Sequence, residues 1–342
     1  VEQLDGTVST HLIRLVRDAA LRAGVPAAHL ATIAGTDDAT LTGELNRIPL
    51  TSLVRLWELI AHTRSGPGAG LAVVADAPLG TLNTRDYLVT TGATLTDALQ
   101  AAQPYHRLVT AAGEGFDLHA DGDLTVGYRT TAGDPAVAAV VNEYVLAYYL
   151  RRAREATGRP VHPKRVTFGH PAPEHHADLA AAFGTDNIEF DAPADSITFD
   201  ATDALAPLHR PAPTLGRLLR SHADLVLASA RPIPDSLEPF RAALTRALAA
   251  GDLSLAAGDL SLDAVARHLL TSRRTLQRQL ADHGTTWREE VDRARYEQAK
   301  SLLAEGRSTT TIAARLGFAD DRALRKAFHR WTGAAPTHHH TP

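Results

Sequence analysis

The chain has no cysteine. That excludes disulfides, thiol catalysis and zinc sites built on thiolates. No apolar run approaches the roughly 18 residues of a membrane-spanning helix. The opening VEQLDGTVST has no basic segment followed by an apolar core, so no secretory leader is expected. Methionine is absent and aromatic residues make up only 5%. No Ser/His/Asp set, phosphate-cradling glycine loop or paired-carboxylate spacing stands out, which argues against an enzyme, and no cofactor is expected. What is present, 342 residues with 44% hydrophobic and 22% charged, is the make-up of a soluble protein of two ordinary domains. A cytoplasmic location with no membrane partner is the simplest expectation.

The formal charge of −4 is unevenly spread. Asp252–Pro336 holds 14 Lys and Arg against 11 Asp and Glu, and the rest of the chain holds 21 against 28. A mildly basic C-terminal part beside a larger acidic part points to nucleic acid at one end.

Periodicity predicts a mixed α+β first domain. Leu12, Ile13, Leu15, Val16 and Ala19 mark a helix within 8–34, broken at Gly24-Val25-Pro26. Leu50, Leu53, Trp57 and Ile60 share a face of a second helix over 50–63. SGPGAG (65–70) reads as a loop. Thr94 to Val109 reads as a helix with Thr94 as N-cap and Asp97 in its first turn. The period then switches to two, and 115–131 reads as a hairpin turning at Asp121-Gly122. A long helix over 136–157 carries Tyr144, Tyr148 and Tyr149. Beyond it come a strand at 164–170, a helix at 176–184 closed by Gly184, two short strands in 187–200 and a helix at 215–230. The Pro-rich stretch 231–239 reads as the domain boundary, giving domains 1–231 and 236–342, the second all helical.

AAGDLSL occurs twice in succession, at 249–255 and 256–262. Only the second copy is followed by a strongly patterned helix. Ser261 can cap SLDAVARHLL, whose Leu262, Val265, Ala266 and Leu269 share a face. After a short turn, Ser272 can cap RRTLQRQLADHG, which buries Leu276 and Leu280 and ends at Gly284. Two short helices across a turn, the second rich in Arg and Gln, are the helix-turn-helix pattern. It recurs in TTIAARLGFADDRALRKAFHRWTG (310–333), where Leu324 and Phe328 stand 48 positions after Leu276 and Leu280 and the turn is one residue longer. Between the units runs a helix stopped by Gly306. Such a pair can set two reading helices about 34 Å apart on one face of double-stranded DNA. Arg suits guanine and Gln suits adenine in the major groove.

The residues SRRTLQRQL, then Arg295, Ala299, Leu302 and Leu303, then IAARLGF and FHRWTG with Pro336, resemble the C-terminal domain of AraC-family transcription regulators over about 250–336. The resemblance implies double helix-turn-helix binding to two adjacent half-sites in a promoter. Carried over by position, the base-facing residues are Arg274, Thr275, Gln277 and Arg278 in the first unit, and Arg322, Arg325 and Lys326 in the second. LWELIAHTRSGPGAGLAV, TLTDALQAAQPYHRLV and FGTDNIEFDAPADSITF resemble the N-terminal effector domain of the arabinose-binding-type subgroup. Some relatives of that subgroup sense fatty acids. The resemblance thus implies a small-molecule effector such as a fatty acid or other apolar acid, an activator working with RNA polymerase, and a homodimer made through the N-terminal domain. Three departures stand out. Leu270 occupies a turn where the family has Gly. Asp320 and Asp321 flank the second reading helix, where helix capping is the expected role. The first heptad reads as a tandem insertion that lengthens the connector.

A pocket is expected between the short sheet and the segments carrying Tyr87, Tyr105, Tyr144 and Tyr148. Tyr144, Tyr148 and Tyr149 also fit a packed core. His170, Glu174, His175 and His176 have the wrong spacing for a zinc helix and read as a solvated loop, and His338–His340 as a tail, so no metal is expected. Trp57, Trp287 and Trp331 read as packing anchors. The reading is a ligand-responsive transcription regulator. Its alternative is a small-molecule-binding protein or enzyme with a helical protein-interaction appendage.

Overall fold

The computed structural model describes residues 4–332 apart from 32, 65, 76, 112–114, 131–133, 175, 234–236, 250–260 and 284. Contacts divide the chain into two compact units, Val1–Ile233 and Pro234–Pro342. Most of the tandem repeat, with Gly284, His175 and His338–His340, lies outside the described residues.

The first unit runs β1 (Thr7–Ser9), α1 (Thr10–Arg22), α2 (Ala27–Leu30), α3 (Asp38–Leu41), β2 (Asn46–Pro49), α4 (Leu50–Thr63), α5 (Ala69–Ala75), α6 (Thr84–Leu88) and α7 (Leu95–Ala102). It continues with β3 (Gly115–Asp121), β4 (Asp123–Arg129), α8 (Pro135–Thr157), β5 (Arg165–Thr167), α9 (Ala177–Phe183), β6 (Ile188–Glu189), β7 (Asp195–Phe199), α10 (Ala201–Leu205), α11 (Pro213–Ser229) and β8 (Arg231–Pro232). A three-stranded sheet has the order β1-β2-β8, and a five-stranded one β3-β4-β7-β5-β6.

Local chemistry explains where these elements start and stop. Val8 pairs with Ile48 in β1 and β2, so the first helix begins only at Thr10, with the Ser9 hydroxyl accepting from the Leu12 N–H. Thr94 and Asp97 form a reciprocal capping box on α7. That helix ends at Ala102 and tightens into a 3₁₀ turn over Gln103–Leu108, because Pro104 has no N–H for the α-helical ladder. Gly122, at φ 78°, closes the β3–β4 hairpin, and Leu124, Val126 and Tyr128 of β4 all turn inward. The predicted loop at 65–70 is shorter than expected, since Ala69 and Gly70 already belong to α5.

Helix α8 is the axis of this unit. It is buried along most of its length and packs on α4, α5, β4 and β7. Its approach to α5 requires glycine: a Cβ on Gly70 would lie 2.3 Å from the Val140 carbonyl oxygen. At the same place the Glu143 carboxylate accepts the Gly68 and Gly70 N–H groups. Burial outweighs those two donors and pushes Glu143 up to about 7.

The Pro-rich boundary is not all loop. β8 pairs in parallel with β2, and the Arg231 and Ile233 N–H groups donate to Leu45 and Arg47. The second unit then starts at once with α12 (Glu238–Ala249), followed by α13 (Leu262–His268), α14 (Arg273–Asp282), α15 (Trp287–Ala304), α16 (Thr309–Arg315) and α17 (Asp321–Thr332). Helix α12 precedes the tandem repeat. The duplicated heptad therefore falls between α12 and α13, inside the second unit, and does not lengthen the joint between domains.

Two small cores hold the second unit. Leu276 and Leu280 pack with Val265, Ala266, Val291 and, from α12, Phe240 and Leu244. Leu324 and Phe328 pack with Ile312, Leu316, Leu302 and, again from α12, Leu248. Helices α12 and α15 thus supply both cores. They are tied by Arg241, which donates to both carboxylate oxygens of Glu290 at 2.9 Å. Glu290 is only 2% exposed. Burial raises its carboxyl, but the bonds from Arg241 outweigh burial and hold it below the usual glutamate value.

The two helix-turn-helix units differ at their turns. Leu270 has φ 52°, and the matching Gly317 has φ 74°. Only the glycine adopts that left-handed backbone without strain. Leu270 is also 96% exposed, so burial returns nothing for the strain. The substitution Leu270→Gly is expected to stabilise the second unit by about 1 kcal/mol, seen as a higher midpoint in its thermal transition. A second expectation concerns the ion pair. Arg241→Ala leaves Glu290 buried without its main partner and should cost about 3 kcal/mol near neutral pH. The pair's contribution is present above the ordinary glutamate pKa and is lost as pH falls through the depressed value. The gap between wild type and variant in urea unfolding should therefore narrow as pH drops below about 4.5.

Candidate functional site

Two sites emerge, one in each unit. In the first unit, Leu50, Leu53 and Trp57 of the α4 face predicted from periodicity, with Val54 beside them, form one wall of a recess. Helix α8 gives Val137, Val141, Tyr144, Val145, Tyr148 and Tyr149 to the facing wall. Leu12, Arg85, His106, Val109, Thr110 and Tyr128 contribute to the rest. The lining is mostly apolar with few polar groups, as small-molecule sites are.

The tyrosines present rings more than free hydroxyls. Tyr148 donates to Asp86 at 2.7 Å, and Tyr149 accepts from Arg85 at 2.9 Å. The Tyr144 ring lies 5.3 Å from that of Trp57. Of the four tyrosines singled out from sequence, the structure brings Tyr144 and Tyr148 together in this wall. Tyr87 is exposed and lies over Gly80. Tyr105 hydrogen-bonds Asp224 of α11, where burial and that neighbouring acid raise its phenol. Arg85 was not anticipated. It sits in NTRDYL, a stretch with neither clear period nor turn signal; the only hint is a charged Arg-Asp pair between apolar segments.

In the second unit the Ser261 and Ser272 caps expected from sequence are present, and Ser308 adds one that was not anticipated. The Ser261, Ser272 and Ser308 side chains accept from the third backbone N–H of α13, α14 and α16. Asp320 accepts from Ala323 at 2.7 Å, so this acid caps the second reading helix. Capping fixes where each reading helix starts, and so which side chains share its outer face. Arg274, Gln277 and Arg278 are exposed on α14, and Arg322, Arg325 and Lys326 on α17. Thr275 is half-buried, its hydroxyl hydrogen-bonded with that of Ser272. Arg325 pairs with Asp321 at 2.7 Å, an exposed bond weak enough to exchange for another acceptor.

The remaining candidates are structural. His170 and His176 lie 5.5 and 5.1 Å from the Phe190 ring and pack as aromatic groups. Trp287 packs on Phe240, and Trp331 packs on Phe318 and Phe328.

Comparison with known proteins matches both units. Residues 24–208 match the arabinose-binding domain of AraC transcription regulators, N-terminal, and residues 265–340 match a helix-turn-helix domain. The ornithine utilization regulator of Pseudomonas aeruginosa is 30% identical over 261 residues, covering 73% of this chain and 72% of that protein. The HTH-type transcriptional regulator VqsM of the same organism is 41% identical over 73 residues, 21% of this chain and 22% of that one. The crystal structure of transcriptional regulator CdpR from Pseudomonas aeruginosa aligns with a TM-score of 0.41 at 21% identity, covering 83% of this chain and 90% of that chain.

Proposed function

The chain belongs to the AraC family of transcription regulators, and from that premise we propose how its two sites divide the work. It is a ligand-responsive DNA-binding regulator, and the enzyme alternative falls with the family. The exposed faces of α14 and α17 read two successive major-groove half-sites of a promoter. Arg274, Thr275, Gln277 and Arg278 contact the first, and Arg322, Arg325 and Lys326 the second. The observation that carries this reading is the repeated architecture: two reading helices, each capped, each seated on its own core, joined through α12 and α15. Activation through RNA polymerase in the cytoplasm is the proposed mode. No helix among the described residues is long and apolar enough to cross a membrane.

The recess between α4 and α8 receives the effector. Its floor includes Arg85 of α6, and α6 packs on α11. Helix α11 exposes Leu215, Leu218 and Leu225, spaced by three and seven, an apolar row suited to a second copy of the same helix. This supports homodimerisation through the first unit and links the effector site to the dimer contact. An effector shifts the equilibrium only by binding two arrangements differently, and α6 on α11 is where such a difference would be felt.

Two outcomes test this reading. Arg278→Ala should relax base preference in one half-site by about 1–3 kcal/mol, and Arg325→Ala in the other, in binding selections from randomised duplexes. Equal weakening on every sequence would show that both side chains touch only phosphate. Separately, residues 234–342 should bind DNA but ignore effector, while the intact chain shows a coupling on the order of 1–3 kcal/mol when effector is titrated against DNA affinity. An effector response surviving in that fragment would place the ligand site elsewhere.

A further inference from the structure

The polar groups of the α4–α8 recess do not balance. Arg85 is only 1% exposed, yet its one hydrogen bond among the described residues runs from Nη2 to the neutral Tyr149 hydroxyl. Its Nη1 is buried without a partner. Its charge is met by ring faces, with Phe116 and Tyr149 centred 5.6 and 6.0 Å away. Thr110, also in the lining, buries a hydroxyl with no partner.

The other buried arginines of this unit show what structural burial looks like here. Arg152 bonds both carboxylate oxygens of Asp86 and the carbonyls of Ala77 and Pro78, and it pairs with Glu155. Arg47 spends its guanidinium on the hydroxyl and carbonyl of Thr7 and on the Leu108 carbonyl. Arg85 alone of the three keeps an unspent nitrogen, and it keeps it in the lining of an apolar recess. A buried charge without a counter-charge is strongly unfavourable, and a buried donor without an acceptor adds to that. An anion arriving in the recess removes both penalties.

We propose that Arg85, assisted by Thr110, anchors the carboxylate of an apolar monocarboxylate, with the body of the ligand against Trp57, Val141 and Tyr144. This rests on the recess being the effector site. One guanidinium nitrogen and one hydroxyl match the two oxygens of a carboxylate. They offer too few donors for a phosphate dianion. The recess is lined by neither Asp nor Glu, so an ammonium group, as in a free amino acid, finds no counter-charge there.

The test uses the full chain, calorimetry and thermal shift, with octanoate and phenylacetate as probes against octanamide and phenylacetamide. The acids should bind at least ten-fold more tightly than their amides. Arg85→Gln should erase that preference, Arg85→Lys should keep part of it, and Thr110→Val should weaken the acids several-fold without touching the amides. Should Arg85→Gln not fold, the acid-to-amide ratio in wild type and in Thr110→Val decides. Val54→Phe, at the half-buried rim, should weaken acids and amides alike by filling space. Acids and amides binding equally, both weakened by Val54→Phe, would overturn the anchor while leaving the recess as the effector site. Acid binding indifferent to both Val54→Phe and Arg85→Gln would overturn the recess itself. Failure of both acids to bind overturns the proposal.

Discussion

Asp86 has no exposed surface, and much of the effector-binding unit is arranged around it. Its carboxylate accepts the Gly80 and Leu82 N–H groups, the Tyr148 hydroxyl and two nitrogens of Arg152. One side chain thereby pins the loop before α6, α6 itself and the middle of α8. A buried carboxylate is tolerated only when its lone pairs are spent in this way. The residue just before it shows the reverse condition. Arg85 belongs to the same short helix and is held by the same clamp, but it is left with a nitrogen unspent. The clamp on Asp86 fixes the helix that carries Arg85, while Tyr149 and Phe116 cover its guanidinium. A structural charge and a functional one thus occupy adjacent positions, and the first makes the second possible.

Much of this was legible in the sequence, and what was not has a physical cause. Helical period located α1, α4, α8 and both helix-turn-helix units, because each buries one stripe against a core. The turn chemistry of Gly122 and Gly184 is local and was readable for the same reason. Short strands were harder. β1, β2 and β8 are held by partners far along the chain, and two to four residues carry no period of their own. Arg85 was hidden for a related reason: its burial comes from α8 and β3, which meet it only in the folded chain. Tyr87 and Tyr105 were aromatic residues near the expected pocket in sequence, yet exposure and the bond to Asp224 direct them elsewhere.

The two helix-turn-helix units share a plan but not its details. The second turn has glycine at the left-handed position and an aspartate cap, while the first has a strained leucine and a serine cap. The second reading helix also carries its own acid, Asp321, against Arg325. A base or phosphate acceptor must displace that acid, which weakens indiscriminate binding more than binding to a site offering guanine in the right place. The acidic residues beside the second reading helix therefore fit a role in selectivity as well as in capping.

The position of α12 changes how a signal can travel. Had the duplicated heptad lain in the joint, the two units would have been linked by a long connector able to absorb any change in the first. Instead the last anchored group of the first unit is the Ile233 N–H on Arg47, and Leu237 is already buried in a core of the second. Arg47 and Arg85 line the same second recess, together with His222 and Val226 of α11. The strand on which β8 pairs, β2, and the helix that carries the anion anchor therefore share this recess. Arg85 thus shares a recess with β2, and β2 holds β8 and the Ile233 N–H at the end of the first unit.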